Sequence, residues 1–263
     1  MLSEKLIENI RKNGIFKESG EGRRKILADD IGFRMDEKAE YVLIGGCHQP
    51  EDHPHVFAAI KKLLDHLQVD FTMLTKEYCC GWVPLAQPAV MAKNEDDLAQ
   101  AKGLAEEFVV GNFKQAEALG ARSIVLFCSA CEPAYSNCQD ATSLEIISFS
   151  ELVDRFLEKG KLETEIDYYA GCYRFRRKMT AESLDVEPAV RVLQKIDWLK
   201  VNYLDNSICC YIPPHLEQLT ASLTSKSVVT ICTGCYEKLK DTLTDGYEVK
   251  MLPELVLAAV EGQ

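Results

Sequence analysis

Short apolar runs alternate with helical patterns of apolar and polar residues over most of this sequence. The runs Ser123–Phe127 and Val228–Ile231 lack a regular polar alternation, which is typical of strands buried on both faces. The segment 55–74 has the pattern of an amphipathic helix followed by a short strand. Strands that alternate with helices in this way predict an α/β fold with mainly parallel sheets covered by helices.

The pattern of strands and helices occurs twice, which indicates an internal duplication. The segment EYVLIGGC (40–47) aligns with EIDYYAGC (165–172), and each ends in a small residue followed by cysteine. QAEALGARSIVLFCSAC (115–131) aligns with LTASLTSKSVVTICTGC (219–235), in which a helix and a turn lead into a buried strand and Cys-x-x-Cys. The remaining aligned pairs are 55–74 with 187–204 and 144–158 with 247–261.

The duplication predicts two pseudo-symmetric modules with a Rossmann-like arrangement of strands and helices. The first module is expected at 40–158 and the second at 165–263, with a linker at 159–164. Residues 1–39 stand outside the repeat and are predicted to form an N-terminal helical appendage that begins with a helix at Ser3–Asn13. Sites in parallel sheets form at the carboxyl ends of strands, so the residues that follow each strand are the functional candidates.

The composition excludes several classes of protein. Of 263 residues, 47% are apolar, and 41 acidic against 30 basic residues give a formal net charge of −11. This composition is globular, and an acidic chain without a basic stripe argues against nucleic acid as a partner. The apolar runs are much shorter than the ~18 residues of a membrane helix, and the N-terminus lacks the apolar stretch of a signal peptide. We therefore expect a cytoplasmic protein without membrane insertion.

Eleven cysteines give the strongest signal, because ten of them fall into two copies of one pattern, here called the first set and the second set. Each set has one cysteine at the end of a predicted strand, then an adjacent pair, then a Cys-x-x-Cys pair. These groups are separated by 31 and 47 residues in the first set and by 36 and 21 in the second. The first set is Cys47, Cys79, Cys80, Cys128 and Cys131, and the second set is Cys172, Cys209, Cys210, Cys232 and Cys235.

Five thiolates in each set predict a metal site. An odd number of cysteines in a chain expected to be cytoplasmic is a poor disulfide framework. Zinc takes four ligands, and adjacent thiolates point in divergent directions, which suits two metals of one cluster better than a single ion. The spacing therefore favours an iron–sulfur cluster, while structural zinc and redox disulfides stay open. Cys138, outside both sets, and Trp198 are expected to be buried core residues.

The duplicated pattern Cys-x31-Cys-Cys-Gly … Cys-x-x-Cys resembles the cysteine-rich CCG-domain family over residues 41–261. That family includes the catalytic cysteine-rich subunit of heterodisulfide reductase, related proteins of sulfur-oxidising bacteria, and cysteine-rich subunits of several dehydrogenases and quinone reductases. Two complete sets make the chain most similar to the catalytic subunits of heterodisulfide reductases. In that group each motif holds a non-cubane [4Fe-4S] cluster, and a disulfide is cleaved between the two clusters.

The resemblance implies that the cysteines of the first set hold one such cluster and those of the second set another. It also implies an oxidoreductase subunit that cleaves or forms a disulfide, or a related sulfur–sulfur bond, in a small sulfur-carrying substrate. The sequence departs from the family in its unequal spacings of 47 and 21 residues, and Tyr211 stands where Gly81 follows the first pair. About one helix is missing from the second module, whose pocket is expected to be more open or differently ligated.

The sequence offers no electron route of its own. It has neither the closely spaced four-cysteine run of bacterial ferredoxins nor a Gly-x-Gly-x-x-Gly fingerprint, so we expect no flavin or NAD in this chain. The resemblance implies two partners like those of heterodisulfide reductase, namely a ferredoxin-type iron–sulfur subunit and a flavoprotein subunit behind it. Two other functions stay open, namely a non-catalytic electron-transfer or assembly subunit of a dehydrogenase or quinone-reductase complex, and a zinc-stabilised interaction protein.

Histidines and a basic cluster lie close to the cysteines. His48 follows Cys47, and His215 comes shortly after Cys210, so either imidazole is a candidate proton donor to a thiolate leaving group. The alternative is that both are ordinary polar residues of loops and helix starts. Four basic residues after Cys172 are candidates for docking an anionic substrate or an acidic partner, with a solvated helix face as the alternative. They are Arg174, Arg176, Arg177 and Lys178.

Overall fold

The computed structural model describes residues 2–171, 186–244 and 246–262, and it confirms the predicted α/β fold. Two four-stranded sheets are flanked by helices, one sheet in each half of the chain. The chain divides into two compact units. Among the described residues, the first unit comprises 2–57 and 70–147, and the second comprises 58–69, 148–171, 186–244 and 246–262.

The first sheet is built from β1 (Tyr41–Ile44), β2 (Phe71–Met73), β3 (Ser123–Leu126) and β4 (Glu145–Ser148). Its strand order is β2-β1-β3-β4. The central strand β1 runs parallel to both neighbours, so that Tyr41 lies beside Phe71 on one side and Ser123 on the other. All residues of β1, β2 and β3 are buried, which explains why these segments lack polar alternation.

The second sheet is built from β5 (Gly160–Tyr169), β6 (Ile196–Tyr203), β7 (Ser227–Thr230) and β8 (Glu248–Met251). Its strand order, β6-β5-β7-β8, places the strands in the same succession as in the first sheet. The strands are again parallel, with Asp167 of β5 beside Asn202 of β6 and Val228 of β7. The two sheets therefore confirm that the fold consists of two pseudo-repeated modules.

Helices connect the strands, and none of those within the described ranges has the length and apolar composition needed to cross a lipid bilayer. In the first half they are α1 (Glu4–Asn13), α2 (Glu21–Arg24), α3 (Gln49–Asp52), α4 (Pro54–His66), α5 (Gln87–Met91), α6 (Glu95–Ala118) and α7 (Glu132–Asn137). In the second half they are α8 (Phe149–Phe156), α9 (Glu187–Gln194), α10 (Pro213–Ala221), α11 (Thr233–Thr242) and α12 (Leu252–Glu261). Shorter turns are π-helical at Lys25–Ile31 and Trp82–Ala86 and 3-10 at Gln139–Ala141.

The two modules differ most between the adjacent cysteine pair and the Cys-x-x-Cys pair. The first module carries the π-helical turn Trp82–Ala86, α5 and the 24-residue α6 in this interval. In the described part of the second module the same interval holds α10, with 9 residues. Asn94 caps α6, because its side-chain oxygen accepts the N–H of Asp97 at 3.0 Å. The extra helices account for the unequal spacings in the sequence.

Helix α8 directly follows β4 but belongs to the second unit. It contacts α9, and the Asp154 carboxylate of α8 forms ion pairs with Arg191 and with Lys195, each at 2.7 Å. The Ser148 hydroxyl accepts the N–H of Glu151 at 3.0 Å and caps the start of α8. The helix that closes the first repeat in the sequence therefore contributes to the packing of the second unit.

Trp198 does not lie in the core, so that prediction is wrong. The residue is 61% exposed and lies on β6, an edge strand of the second sheet in which four of eight positions are exposed. The Lys161 ammonium lies 3.9 Å from the centre of the indole ring and covers one of its faces. Cys138, in contrast, is buried as expected.

Candidate functional site

The cysteines lie beyond the carboxyl ends of the parallel strands. Cys47 follows β1, Cys79 and Cys80 follow β2, and Cys128 follows β3. Because parallel strands end at the same edge of a sheet, this succession brings cysteines that are distant in sequence to one edge. The second module repeats the arrangement, since Cys209 follows β6 at the same distance along the chain as Cys79 follows β2.

A glycine in the left-handed region precedes the first cysteine of each set. Gly46 has a φ of +91°, and Gly171 has a φ of +89°. A Cβ on Gly46 would lie 3.0 Å from the Cβ of Cys128, and a Cβ on Gly171 would lie 3.0 Å from the Cβ of Cys232. Only glycine permits both this backbone conformation and this close approach. The two glycines align in the repeated segments, which was the signal in the sequence for this shared turn.

The five thiols of the first set are buried and form one connected group. Hydrogen bonds join them in the order Cys47, Cys79, Cys80, Cys131 and Cys128, and none of these residues is more than 7% exposed. The hydrogen bonds from Cys131 and Cys79 lower the pKa of the Cys80 thiol well below its ordinary value. The same network raises the pKa of Cys79 and of Cys131. The network thus favours ionisation of Cys80 over ionisation of its two neighbours.

One side of the first set packs against apolar residues. Cys47 and Cys79 belong to a core cluster that also contains Ile10 of α1 and Phe108 of α6. Backbone donors reach the sulfur atoms: the N–H of Gly81 points at the Sγ of Cys79 over 3.4 Å, and hydrogen bonds from the backbone N–H groups of Trp82 and Cys80 help to lower the pKa of the Cys80 thiol. Apolar surroundings limit the access of water, which is one of the ways in which a protein tunes a metal bound to thiolates.

Four cysteines of the second set are described, and they also form one connected group. Hydrogen bonds link Cys209 to Cys210, Cys210 to Cys235 and Cys235 to Cys232, and the Sγ atoms of Cys210 and Cys235 are 3.3 Å apart. The hydrogen bond with Cys209, together with burial, raises the pKa of Cys210 to about 12. The fifth cysteine of the second set and the basic cluster lie outside the described residues, so their roles stay predictions. These residues are Cys172, Arg174, Arg176, Arg177 and Lys178.

The two predicted proton donors have different surroundings. The Nδ1 atom of His48 lies 2.5 Å from the carboxylate of Asp52, one turn further along the chain, which orients the imidazole. His215 lies in the first turn of α10, and its Nδ1 atom accepts the backbone N–H of Cys209 at 3.2 Å. His48 therefore has the partner expected of a proton donor, whereas His215 supports the backbone of the second set. Their catalytic roles stay predictions.

A buried ion pair lies beside the first set, and little in the sequence indicates it. The Glu77 carboxylate accepts the N–H groups of Gly45 and Gly46 at 3.0 and 2.8 Å, and it pairs with the Arg23 guanidinium at 2.6 Å. Burial raises the pKa of the Glu77 carboxyl, and Arg23 and the two amides oppose that rise. The signal was a single acidic residue two positions before the cysteine pair, where the second copy has Ser207.

A cavity of about 220 Å³ opens beside Cys80 within the first unit. Its walls are mainly apolar, with Trp82 after the cysteine pair and Ala105 on α6. The Cys138 thiol also lines it, and burial, aided by the nearby Glu106 carboxylate, raises the pKa of this thiol to about 11. A cavity of about 150 Å³ is enough to admit benzene. A small, largely apolar group can therefore approach Cys80 from this side.

The chemistry of the donors fits an iron–sulfur group. None of the ten described cysteines forms a disulfide with another described cysteine. Thiolates are the ligands that hold iron–sulfur clusters, and they are soft donors that also bind zinc. The first set offers five of them, which exceeds the four ligands of a structural zinc site. Both sets therefore have ligands of the type that such a cluster requires.

Solved structures that match this chain include distantly similar racemases, and no curated protein matches the chain in sequence. A glutamate racemase from Bacillus anthracis is 12% identical with a TM-score of 0.38, covering 86% of this chain and 79% of the racemase. An aspartate racemase homologue from Pyrococcus horikoshii is 12% identical with a TM-score of 0.35, covering 85% of this chain and 95% of that protein. At these scores the similarity indicates neither a common fold nor a common activity.

Residues 41–134 match the family model of the CCG cysteine-rich domain. The matched segment begins with β1 and contains all five cysteines of the first set. Together with the repeated cysteine pattern, the match indicates an iron–sulfur-related function. The comparison therefore supports the CCG cysteine-rich domain family for the first module.

Proposed function

We propose that this chain is the catalytic iron–sulfur subunit of a heterodisulfide reductase-like complex, in which it cleaves or forms a disulfide or a related sulfur–sulfur bond. The first set carries the proposal, because five buried thiols meet there in one connected group. Structural zinc and ordinary cubane clusters each take four ligands, so a fifth thiol favours a different cluster. The match to the CCG cysteine-rich domain supports an iron–sulfur group at this position.

In this proposal each set holds one [4Fe-4S] cluster of the non-cubane type, a group that passes electrons singly to a reaction that needs two. The cysteine side chains bind and orient the clusters, and the apolar surroundings limit water. The cavity beside Cys80 gives a small substrate access to the first set. His48, oriented by Asp52, is the candidate donor of a proton to the departing thiolate.

The proposal includes partner subunits, because the sequence carries neither a ferredoxin motif nor a dinucleotide fingerprint. A ferredoxin-type subunit would exchange electrons with the two clusters, and a flavoprotein would exchange electrons with that subunit. The basic cluster of four residues after Cys172 is the candidate docking surface for an acidic partner of this kind.

Anaerobic purification followed by iron and sulfide analysis and EPR tests the metal assignment. We expect about eight iron and about eight sulfide ions per chain, that is, about four of each for each set of cysteines. Cys79→Ala and Cys210→Ala should each remove about half of the iron, whereas Cys138→Ala, a buried cysteine outside both sets, should remove none. Stoichiometric zinc without sulfide would overturn the assignment.

Reconstitution with a ferredoxin-type subunit tests the activity. The isolated chain should not oxidise NADH, and the complex should reduce a small disulfide. Complete clusters that neither turn over a disulfide nor change their EPR spectrum when it is added would instead indicate an electron-transfer or assembly subunit.

A further inference from the structure

The N-terminal segment, residues 2–39, reaches the first set although it lies outside the repeat. The backbone oxygen of Gly14 accepts the N–H of Cys79 at 2.6 Å. Gly14 has a φ of +80°, and a Cβ at this position would lie 2.6 Å from the backbone oxygen of Glu77. Ile10 of α1 and the neighbouring Ile15 belong to the same buried cluster as Cys79. The chain before the repeat therefore packs directly against a member of the first set.

A buried ion pair joins the same segment to the backbone before the cysteine pair. Arg23 of α2 and Glu77 are 2.6 Å apart, and their side chains are 2% and 1% exposed. The second terminal nitrogen of Arg23 donates to the backbone oxygen of Leu74 at 3.2 Å. A charge buried to this degree is costly unless it is paired, so the N-terminal segment and the loop that carries Glu77 depend on each other.

The Glu77 carboxylate also fixes the turn that leads into Cys47. One carboxylate oxygen accepts the N–H of Gly46, and the other accepts the N–H of Gly45 as well as the Arg23 guanidinium. Glu77 therefore connects the turn before Cys47 to the chain that enters Cys79 two residues later. These two cysteines come from different strands, and they are hydrogen-bonded to each other in the first set.

The described part of the second set has different residues at the corresponding positions. Ser207 stands in the position that corresponds to Glu77. The N–H of Cys209, which corresponds to Cys79, donates to the His215 imidazole of its own module. The acceptor of the Cys209 N–H thus comes from within the second unit. The backbone N–H of Cys79, in contrast, donates to Gly14 of the N-terminal segment.

We propose that Arg23 and Glu77 are positioning residues, through which the N-terminal segment brings Cys47 and Cys79 into the arrangement needed to bind a metal group. Glu77 holds the backbone turn before Cys47 and the chain before Cys79 at a fixed separation, and Arg23 orients its carboxylate. The first set is complete only with the N-terminal segment in place, whereas the second set forms without it. The inference rests on the proposed function only for the identity of the bound group, which contains iron. The effect of Arg23 and Glu77 on the positions of the cysteines does not require a metal.

Two variants of the full chain test the inference. Arg23→Met with Glu77→Gln removes both charges together, so no unpaired charge stays buried and the chain is expected to fold. In Glu77→Gln an NH2 group replaces one carboxylate oxygen, and this group cannot accept a hydrogen bond. One of the backbone N–H groups in the turn before Cys47 therefore loses its acceptor. Glu77→Asp keeps the charge but shortens the side chain by one methylene. The matched control is Lys5→Met with Glu18→Gln, an exposed ion pair of the same N-terminal segment.

The readouts are thermal unfolding, iron content and the alkylation rate of each cysteine in the metal-free chain, followed by mass spectrometry. We expect both Glu77 variants to fold and to lose about half of the iron. Alkylation of Cys47 and Cys79 should rise about tenfold, which corresponds to one lost charge-assisted hydrogen bond, while Cys209 and Cys210 react as before. The control should match the wild-type chain throughout.

Wild-type iron content and wild-type alkylation of Cys47 and Cys79 in the folded Glu77→Asp chain would overturn the inference. An equal rise in alkylation at the second set would also overturn it, because that result indicates general destabilisation. If the wild-type chain binds no iron, the proposed function fails, and the alkylation rates alone still decide the role of Arg23 and Glu77.

Discussion

The side-chain amide of Asn112 donates a 2.7 Å hydrogen bond to the hydroxyl of Tyr135, and both residues are fully buried. The same amide accepts the N–H of Tyr78 and donates to the backbone oxygen of Tyr78, each at 2.8 Å. Tyr78 immediately precedes Cys79, and Tyr135 lies on α7, which begins after Cys131. One side chain of α6 therefore joins the two segments that carry four of the five cysteines in the first set.

Replacement of Asn112 by Leu should destabilise the chain and reduce its iron content. The substitution leaves buried backbone groups of Tyr78 without partners, which costs about 1–3 kcal/mol. Asn94→Ala is the matched control, because it removes the cap of the same helix at a cost of about 1 kcal/mol and lies 18 positions before Asn112. Denaturant unfolding and iron analysis should show lower stability in both variants but lower iron in the Asn112 variant alone.

Replacement of Gly46 or Gly171 by Ala should each disturb one set. The left-handed conformation costs an alanine about 1–2 kcal/mol, and the new Cβ would crowd Cys128 or Cys232. Gly120→Ala is the control, since Gly120 has a φ of +75° but open space where a Cβ would stand. We expect similar losses of stability in all three variants and loss of iron in the first two. Normal iron content in Gly46→Ala would contradict the assigned role of the turn.

The stability of the second module should depend on pH through Asp167. Burial opposes ionisation of this carboxyl, but hydrogen bonds from Asn202, Ser225 and Thr224 outweigh it and lower its pKa below the ordinary value of 3.8. A carboxyl whose pKa is lower in the folded state stabilises the fold above its unfolded pKa, and this contribution is lost as the pH falls through the folded pKa.

Asp167→Asn should therefore reduce the free energy of unfolding by about 1–3 kcal/mol at pH 7. The difference from the wild-type chain should shrink as the pH falls below 3.8. Asp197→Asn, which alters an exposed carboxylate 3.3 Å from Lys159, should change stability little at either pH. A difference that stays constant between about pH 7 and about pH 3 would show that the charge of Asp167 is not the stabilising feature.

The cavity beside Cys80 gives a prediction about substrate. Ala105→Phe should fill much of the space between α6 and the cysteine pair without removing a cysteine. In the reconstituted complex we expect the KM for a small disulfide to rise at least about tenfold with unchanged iron content. Ala99→Phe, on the exposed part of the same helix, should leave the KM unchanged. An unaltered KM in the Ala105 variant would place the substrate elsewhere.

The repeat made much of the fold predictable. The aligned segments that end at Cys47 and Cys172 carry the same local pattern, and the sheets show the same strand succession. The cysteines of the first set could be grouped because each follows a strand, and parallel strands end at one edge. The prediction that Trp198 lies in the core is wrong because an aromatic residue within an apolar pattern does not indicate whether its strand lies at the edge of a sheet.

The support of the first set could not be predicted from local patterns. Arg23 and Glu77 are 54 positions apart, and nothing near either residue indicates the other. Arg23 lies in a charged stretch that is typical of an exposed surface, yet its side chain is buried. Asn112 is similarly one polar residue within a long helix. Contacts of this kind depend on how distant elements pack, which periodicity and spacing do not report.

The position of α8 decides which ion pairs would be separated if the chain were expressed as two polypeptides. A break in the loop after α8 would leave Asp154 on one polypeptide and its partners Arg191 and Lys195 on the other. A break just before Ser148 would keep α8, its capping residue and both cationic partners on the second polypeptide. The boundary of the repeat in the sequence is thus about one helix away from the break that keeps these ion pairs within one polypeptide, and residues 58–69 of the second unit would still come from the other polypeptide.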